Sequence, residues 1–178
     1  LNALLYIDLD DFKTVNDSLG HELGDQLLAT VGQRLRSCVR DEDLVARLSG
    51  DEFAILVESA VDRQDAVAAA RRVQDALAVP ISVADRNITI SASVGITVED
   101  AEAFVNSDEL LRAADSAMYH AKASGKGRFE FFEPEMRHEA VERLELKADL
   151  QVALENGEFE VYYQPIVNAL DGSTSHVE

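Results

Sequence analysis

Cysteine is almost absent. With Cys38 alone, neither an internal disulfide framework nor a cysteine-rich zinc site can form, and Cys38 itself falls at helical spacing, where it reads as a core residue. Cations are scarce as well: 16 Lys and Arg stand against 34 Asp and Glu, a net charge of −18. That imbalance excludes a nucleic-acid polymer as partner, because its phosphate backbone would be repelled, whereas a nucleotide carrying its own Mg²⁺ stays compatible. No apolar run approaches the roughly 20 residues of a membrane span, and no signal peptide, internal repeat or low-complexity segment is visible. What is there is 178 residues with 47% hydrophobic content, enough for one sizeable core and an appendage. The expectation is a cytoplasmic domain without membrane contact of its own; because the first residues already read as a strand, a membrane-anchored parent stays open.

Two acidic clusters stand out against packing as an explanation. Arg47-Leu48-Ser49-Gly50-Asp51-Glu52-Phe53 sets two carboxylates in a tight reversal between apolar, β-branched segments, Leu44 to Leu48 and Phe53 to Val57, with Ser49-Gly50 supplying the conformational freedom of a short hairpin. Ala3 to Lys13 begins as an apolar strand and ends in Asp8, Asp10 and Asp11, with Asp8 and Asp10 on one face by the period of two. If that strand lies beside the Ser49 hairpin, Asp8, Asp51 and Glu52 converge, and like charges so close call for a cation between them. An all-oxygen set suits Mg²⁺ or Mn²⁺ and not zinc. Asp10 is also placed to cap a helix beginning near Asp11.

Helices and strands alternate in an α+β manner. Leu27, Leu28, Val31, Leu35 and Cys38 give an amphipathic helix over residues 22 to 39, and Ala66, Ala69, Ala70, Val73 and Leu77 a second over 62 to 78, ended by Pro80. Ile81 to Val83 and Asn87 to Val98 read as a hairpin about Asp85-Arg86. A third helix runs from a Ser107 N-cap to a stop at Gly125 and carries Ala117, Met118 and Tyr119 as core; Arg128 to Phe132 closes the sheet. After Pro134, Glu135 to Asn156 reads as one charged helix with Met136, Val141, Leu144, Leu150 and Leu154 along it.

Asp8-Leu9-Asp10-Asp11-Phe12-Lys13, Asn16 through Asp25, Arg40-Asp41-Glu42-Asp43, the Ser49 hairpin and Ala114 through Lys122 occur in the order and spacing of one family. The chain resembles the GGDEF domains, diguanylate cyclases that join two GTP molecules into cyclic di-GMP. Two departures are visible: Ser49-Gly50 replaces Gly-Gly, and the Asp-x-Leu-Thr-Gly-Leu lead-in is absent. The resemblance implies a palm-like α+β fold with a central, mostly antiparallel sheet flanked by helices over residues 1 to 132. An interdomain helix would span 133 to 157. Residues 158 to 178, with Glu158 to Val167 as a strand and His176-Val177-Glu178 at the end, resemble the opening of an EAL phosphodiesterase domain, without phosphodiesterase activity in this stretch.

The resemblance also distributes roles. Metal falls to Asp8, Asp51 and the carbonyl of Leu9, catalysis to Asp51 and Glu52, and guanine to Asn16 and Asp25, whose amide and carboxylate match its donors and acceptor. Gly20 and Gly24 would serve loop geometry. Phosphate falls to Lys13, Lys122 and Lys126, with Ser49 and Gly50 lining the approach; Lys126 stands where arginine is usual, a point charge in place of a fork. Arg40 and Asp43 match a product-inhibition site, or read as a plain charged loop. Activity as a homodimer is implied, since each half holds one GTP. A serine at position 49, in a conformation that disfavours non-glycine residues, implies reduced turnover or a catalytically silent GTP- or cyclic di-GMP-binding module.

Overall fold

A computed structural model describes the chain at residues 2–58, 60, 62–99, 106–168 and 173–177. Its elements follow as β1 (Asn2–Leu9), α1 (Phe12–Leu19), α2 (His21–Ser37), β2 (Leu44–Ser49), β3 (Glu52–Val57), α3 (Arg63–Ala78), β4 (Ile81–Val83), β5 (Arg86–Ile88), β6 (Ala92–Glu99), α4 (Ser107–Ala123), β7 (Phe129–Phe131), α5 (Glu135–Glu155), β8 (Pro165–Val167) and β9 (Thr174–Val177). The chain divides into two compact units, residues 1–138 and 139–178.

In the first unit, β1 is the middle strand because it is apolar on both faces until its end. Ala3, Leu5, Ile7 and Leu9 are buried on one side, while Leu4 is buried and Tyr6 half-buried on the other. A strand buried twice requires helices on both faces of its sheet. The sheet order is β2-β3-β1-β6-β7, antiparallel throughout except for the parallel β6–β7 pair. The fold is thus a mixed α+β one, with a mostly antiparallel sheet flanked by helices.

One face packs on α1, α2 and α3, which bring Phe12, Leu27, Leu28, Val31, Leu35, Val73 and Leu77 into the larger core. Burying each such aliphatic side chain contributes roughly 1.5–3 kcal/mol. Helix α3 starts at Asp62, whose carboxylate accepts from the Gln64 amide at 2.7 Å. At its other end the Arg34 guanidinium donates to the carbonyls of Ala76 (2.7 Å), Pro80 (2.8 Å) and Val79, satisfying acceptors that a helix C-terminus leaves open. On the opposite face lies α4, whose buried side is Ala113, Ala114, Ala117, Met118 and Ala121. These small residues bring it onto the backbone of β6: a Cβ built at Gly95 would lie 1.9 Å from the Ala114 carbonyl oxygen and 2.3 Å from the Met118 nitrogen.

The expected core positions of α2 and α3 are all buried. Four local expectations shift. The α4 cap is Asn106, whose extended backbone (φ −160°) frees its carboxamide to accept from the Glu109 amide at 2.9 Å, and Ser107 is already helical. The reversal after β4 is centred on Ala84-Asp85, at φ 46° and 62°. The apolar alternation from Ile88 to Ile96 runs unbroken, yet β5 pairs with β4 while β6 joins the main sheet; a change of partner leaves no mark on the pattern. Tyr119 is exposed, so only Ala117 and Met118 are core.

Helix α5 bears out the charged helix after Pro134, with Leu150 and Leu154 exposed; the Val141 and Leu144 side chains lie outside those described. In the second unit residues 158–164 have no regular structure, and of the strand expected over 158 to 167 only Pro165–Val167 forms, paired antiparallel with Thr174–Val177. Glu178 lies outside the described residues.

Candidate functional site at the end of the central strand

The β2–β3 reversal brings the two acidic clusters together. Glu52 is the register partner of Asp8, and the Leu9 amide donates to the Asp51 carbonyl at 3.3 Å. Arg47 closes the turn by donating through Nε to the Gly50 carbonyl at 2.9 Å, with Gly50 at φ +44°. Ser49 is not among the residues of positive φ; it ends β2 beside a register shift, and its hydroxyl donates to Glu52 Oε2 at 2.5 Å. The expected backbone penalty at Ser49 is therefore absent, because the left-handed position of this turn falls on Gly50. What Ser49 adds is a side chain and a bond to Glu52.

Asp8 follows Leu4 and Tyr6 on the α4 face. It is buried, and Lys122 near the end of α4 meets its Oδ1 at 2.7 Å. Burial raises the Asp8 carboxyl above its ordinary 3.8, with Asp51 and Glu52 adding to the rise and Lys122 opposing it. Tyr6 is pushed up to about 12 by burial and then by the Glu52 carboxylate, so it remains a neutral donor toward Glu52. On α4, Asp115 is raised by lost hydration and then by Glu52. Tyr6 and Asp115 were missed in the sequence; the alternation of β1 puts Tyr6 on the face of Asp8, but a tyrosine in an apolar strand reads as core.

Asp10 does not cap a helix. It is 6% exposed and accepts from Ser91 Oγ at 2.7 Å, Ser93 Oγ at 2.7 Å and the Gly127 amide at 3.0 Å, tying the end of β1 to the start of β6 and to the α4–β7 loop. In that loop Gly125, Lys126 and Gly127 all have positive φ (120°, 60° and 59°). For Lys126 this costs about 1–2 kcal/mol. Asp11, at φ 58°, begins α1 without a side-chain cap bond and pairs with the Lys126 ammonium at 2.7 Å, which raises the lysine.

The guanine candidates lie at the α1–α2 junction. Asn16 Oδ1 is buried without a hydrogen-bond partner, and a Cβ built at Gly24 would stand 1.8 Å from it. Gly24 is thus not a loop glycine; it sits inside α2 and seats the Asn16 carboxamide, while the loop residue is Gly20, at φ 87°. Asp25 is exposed one residue further on, and Lys13 is exposed on α1. Asp43 is buried; its carboxylate accepts from the Arg40 amide at 2.9 Å and the Glu58 amide at 3.1 Å, so it staples the loop before β2, while Arg40 is exposed.

The donor chemistry at the strand end fits a hard divalent cation, since Asp8 and Asp51 offer carboxylate oxygens with mutual repulsion to relieve and a lysine already pairs with Asp8. Among the described residues, no three His, Cys, Asp or Glu side chains are gathered as a ready metal site. No described helix is long and apolar enough to cross a membrane.

The sequence profile described as "Diguanylate cyclase, GGDEF domain" matches residues 2–128, the unit that carries this site. The chain belongs to the GGDEF family. This GGDEF chain is 43% identical over 176 residues to the bifunctional diguanylate cyclase/cyclic di-GMP phosphodiesterase MucR of Pseudomonas aeruginosa, covering 99% of the chain and 25% of MucR. It is 38% identical over 178 residues to the cyclic di-GMP phosphodiesterase NbdA of the same organism, covering 99% and 22%. It therefore spans about a quarter of the curated relatives it matches. The GGDEF domain structure of TpbB (YfiN) from P. aeruginosa superposes with a TM-score of 0.73 at 37% identity, covering 77% of this chain and 80% of that one.

Proposed function

We propose that this GGDEF domain is a diguanylate cyclase, condensing two GTP into cyclic di-GMP with release of pyrophosphate. The observation that carries the reading is the register pairing of Asp8 with Glu52, which sets carboxylates and the Lys122 ammonium around one strand end. Asp8, Asp51 and the Leu9 carbonyl would hold Mg²⁺ or Mn²⁺, which when bound makes the attacking 3′-hydroxyl more acidic and neutralises the leaving charge. Glu52, oriented by Ser49 and Tyr6, accepts the hydroxyl proton. Lys13, Lys122 and Lys126 grip phosphate, and Ser49 and Gly50 line its approach.

Guanine is recognised by Asn16, whose unpartnered Oδ1 takes a base N–H, and by Asp25. Adenine leaves both unpaired, so calorimetry is expected to show GTP bound and ATP bound weakly, with Asp25→Ala eroding the difference by about 1–3 kcal/mol. Gly24→Ala is expected to weaken GTP binding about tenfold by displacing Asn16, while the melting temperature holds because alanine recovers about 1 kcal/mol of helix propensity. Equal GTP affinity in wild type and Gly24→Ala removes Asn16 from the site.

One GTP per half-site makes the active form a homodimer, and the GTP substrate places the domain in the cytoplasm. Arg40, exposed beside the Asp43 staple, is the candidate for binding cyclic di-GMP as inhibitor. Arg40→Ala is expected to shift the product-inhibition curve to higher cyclic di-GMP, and superimposable curves dismiss that role. Residues 158–178, which fall within the match to MucR, are proposed as the opening of an EAL domain without phosphodiesterase activity of their own.

A second reading, a silent GTP- or cyclic di-GMP-binding module, is favoured by Ser49 alone. Its side chain projects at the turn and holds Glu52, so turnover is expected to be reduced, raised several-fold by Ser49→Gly and extinguished by the branched Ser49→Val. The deciding experiment joins the chain to a dimerising coiled coil, supplies GTP and Mg²⁺, and identifies the product by chromatography. GTP bound without product, in both wild type and Ser49→Gly, leaves the silent module.

A further inference from the structure

We infer that Asp10 is a positioning residue for phosphate binding, holding Lys126 in place without touching metal or nucleotide. The inference rests on the proposed role of Lys126 as a phosphate ligand. Both oxygens of Asp10 are committed: Oδ1 to Ser93 Oγ, and Oδ2 to Ser91 Oγ and the Gly127 amide. Its own amide donates to the Ser91 carbonyl at 2.9 Å. A carboxylate so enclosed, at 6% exposure, has no free face toward a ligand.

What it does hold is two turns that resist forming. Asp11, its neighbour in sequence, and Lys126, the neighbour of Gly127, are both in the left-handed region. Asp10 is bonded at the foot of each, and the two side chains then meet at 2.7 Å above it. Lys126 is further fixed by its amide, which donates to the Ala121 carbonyl at 3.1 Å, so α4 delivers the loop and Asp10 receives it. The helix stop accounts for Gly125, but without the acceptor at Asp10 nothing in the sequence of Lys126-Gly127 favours positive φ at both residues over the other conformations open to the loop.

Charge is not what this role needs. Asparagine has the same shape: its Oδ1 accepts from the Gly127 amide and Ser91, and its Nδ2 donates to Ser93 after the hydroxyl rotates. Asp10→Asn is therefore expected to preserve the latch, and Asp10→Ala to release it. The test combines ¹H–¹⁵N spectra with calorimetry of GTP and of guanosine, which lacks phosphate. In Asp10→Ala the Gly127 amide resonance moves, GTP affinity falls about tenfold and guanosine affinity stays within about twofold. Lys126→Ala gives the same loss, the double variant loses no more, and Asp10→Asn resembles wild type. An unmoved Gly127 resonance, parallel losses of GTP and guanosine, or an Asp10→Asn as impaired as the alanine variant each overturns the inference. A loss in Lys126→Ala alone removes the positioning role and leaves the phosphate reading; no loss in either removes both.

Discussion

Asp8→Asn is expected to abolish cyclic di-GMP synthesis, by on the order of 10²–10³-fold or more, and at neutral pH to raise the melting temperature of the same protein. The two effects have one origin. Asp8 is buried beside Asp51 and Glu52, and its carboxyl is raised above 3.8 despite the Lys122 ammonium, so the folded state holds the charged form less well than the unfolded chain does. An acid with a raised folded value destabilises the fold fully above that value, and the handicap vanishes as pH falls through the unfolded value. The gain from asparagine is therefore largest at neutral pH and disappears toward and below 3.8. The same shift means that binding of a divalent cation to the wild type weakens with acidification earlier than at an ordinary aspartate. Full activity in Asp8→Asn with a normal melting curve removes the strand end as the reaction centre.

Gly95→Ala is expected to cost about 3 kcal/mol or more, at the upper end of what an overpacked interior suffers. The added methyl meets backbone, the Ala114 carbonyl oxygen at 1.9 Å and the Met118 nitrogen at 2.3 Å, and neither can turn aside as a side chain does. Helix α4 must lift from β6, taking Lys122 from Asp8. Gly32→Ala is the control. There the new methyl finds only Phe53 Cε1 at 3.7 Å, an ordinary contact, and the helix gains about 0.5–1 kcal/mol by losing a glycine. Denaturant midpoints that move in opposite directions for the two variants confirm that close approach, not glycine itself, is what position 95 demands.

The core was legible because periodicity records burial: the inward residues of α2 and α3 lie where a 3.6-residue repeat puts them, and the alternation of β1 separates its two faces. The juxtaposition of Asp8 with Asp51 and Glu52 was conditional on strand neighbours, which a pattern cannot specify, and the β1–β3 register supplied it. Where a residue's partner lies far along the chain the sequence was mute. Asp10 reads as a cap for the helix beside it, yet its partners are 81, 83 and 117 positions away. Asp43 reads as half of a regulatory pair with Arg40, and the structure adds a stapling role to it that was not legible, because backbone amides have no signature in the code. At Ser49 the inference failed for a local reason: the strain belongs to the next residue, Gly50.

Two of the three lysines proposed to grip phosphate already have a carboxylate partner, Lys122 with Asp8 and Lys126 with Asp11, both at 2.7 Å. On the proposed reading, a triphosphate must take these ammonium groups from the carboxylates, and a divalent cation must take Asp8 from Lys122. Each arrival thus removes the competitor of the other. On that reading metal and nucleotide are expected to bind with positive heterotropic coupling, and linkage requires that it be reciprocal: GTP should sharpen the affinity for Mg²⁺ by the same factor by which Mg²⁺ sharpens that for GTP. The expected consequence is that free metal and metal-free nucleotide are both poor ligands for such a site, and that the acidic chain selects their complex by internal exchange of partners.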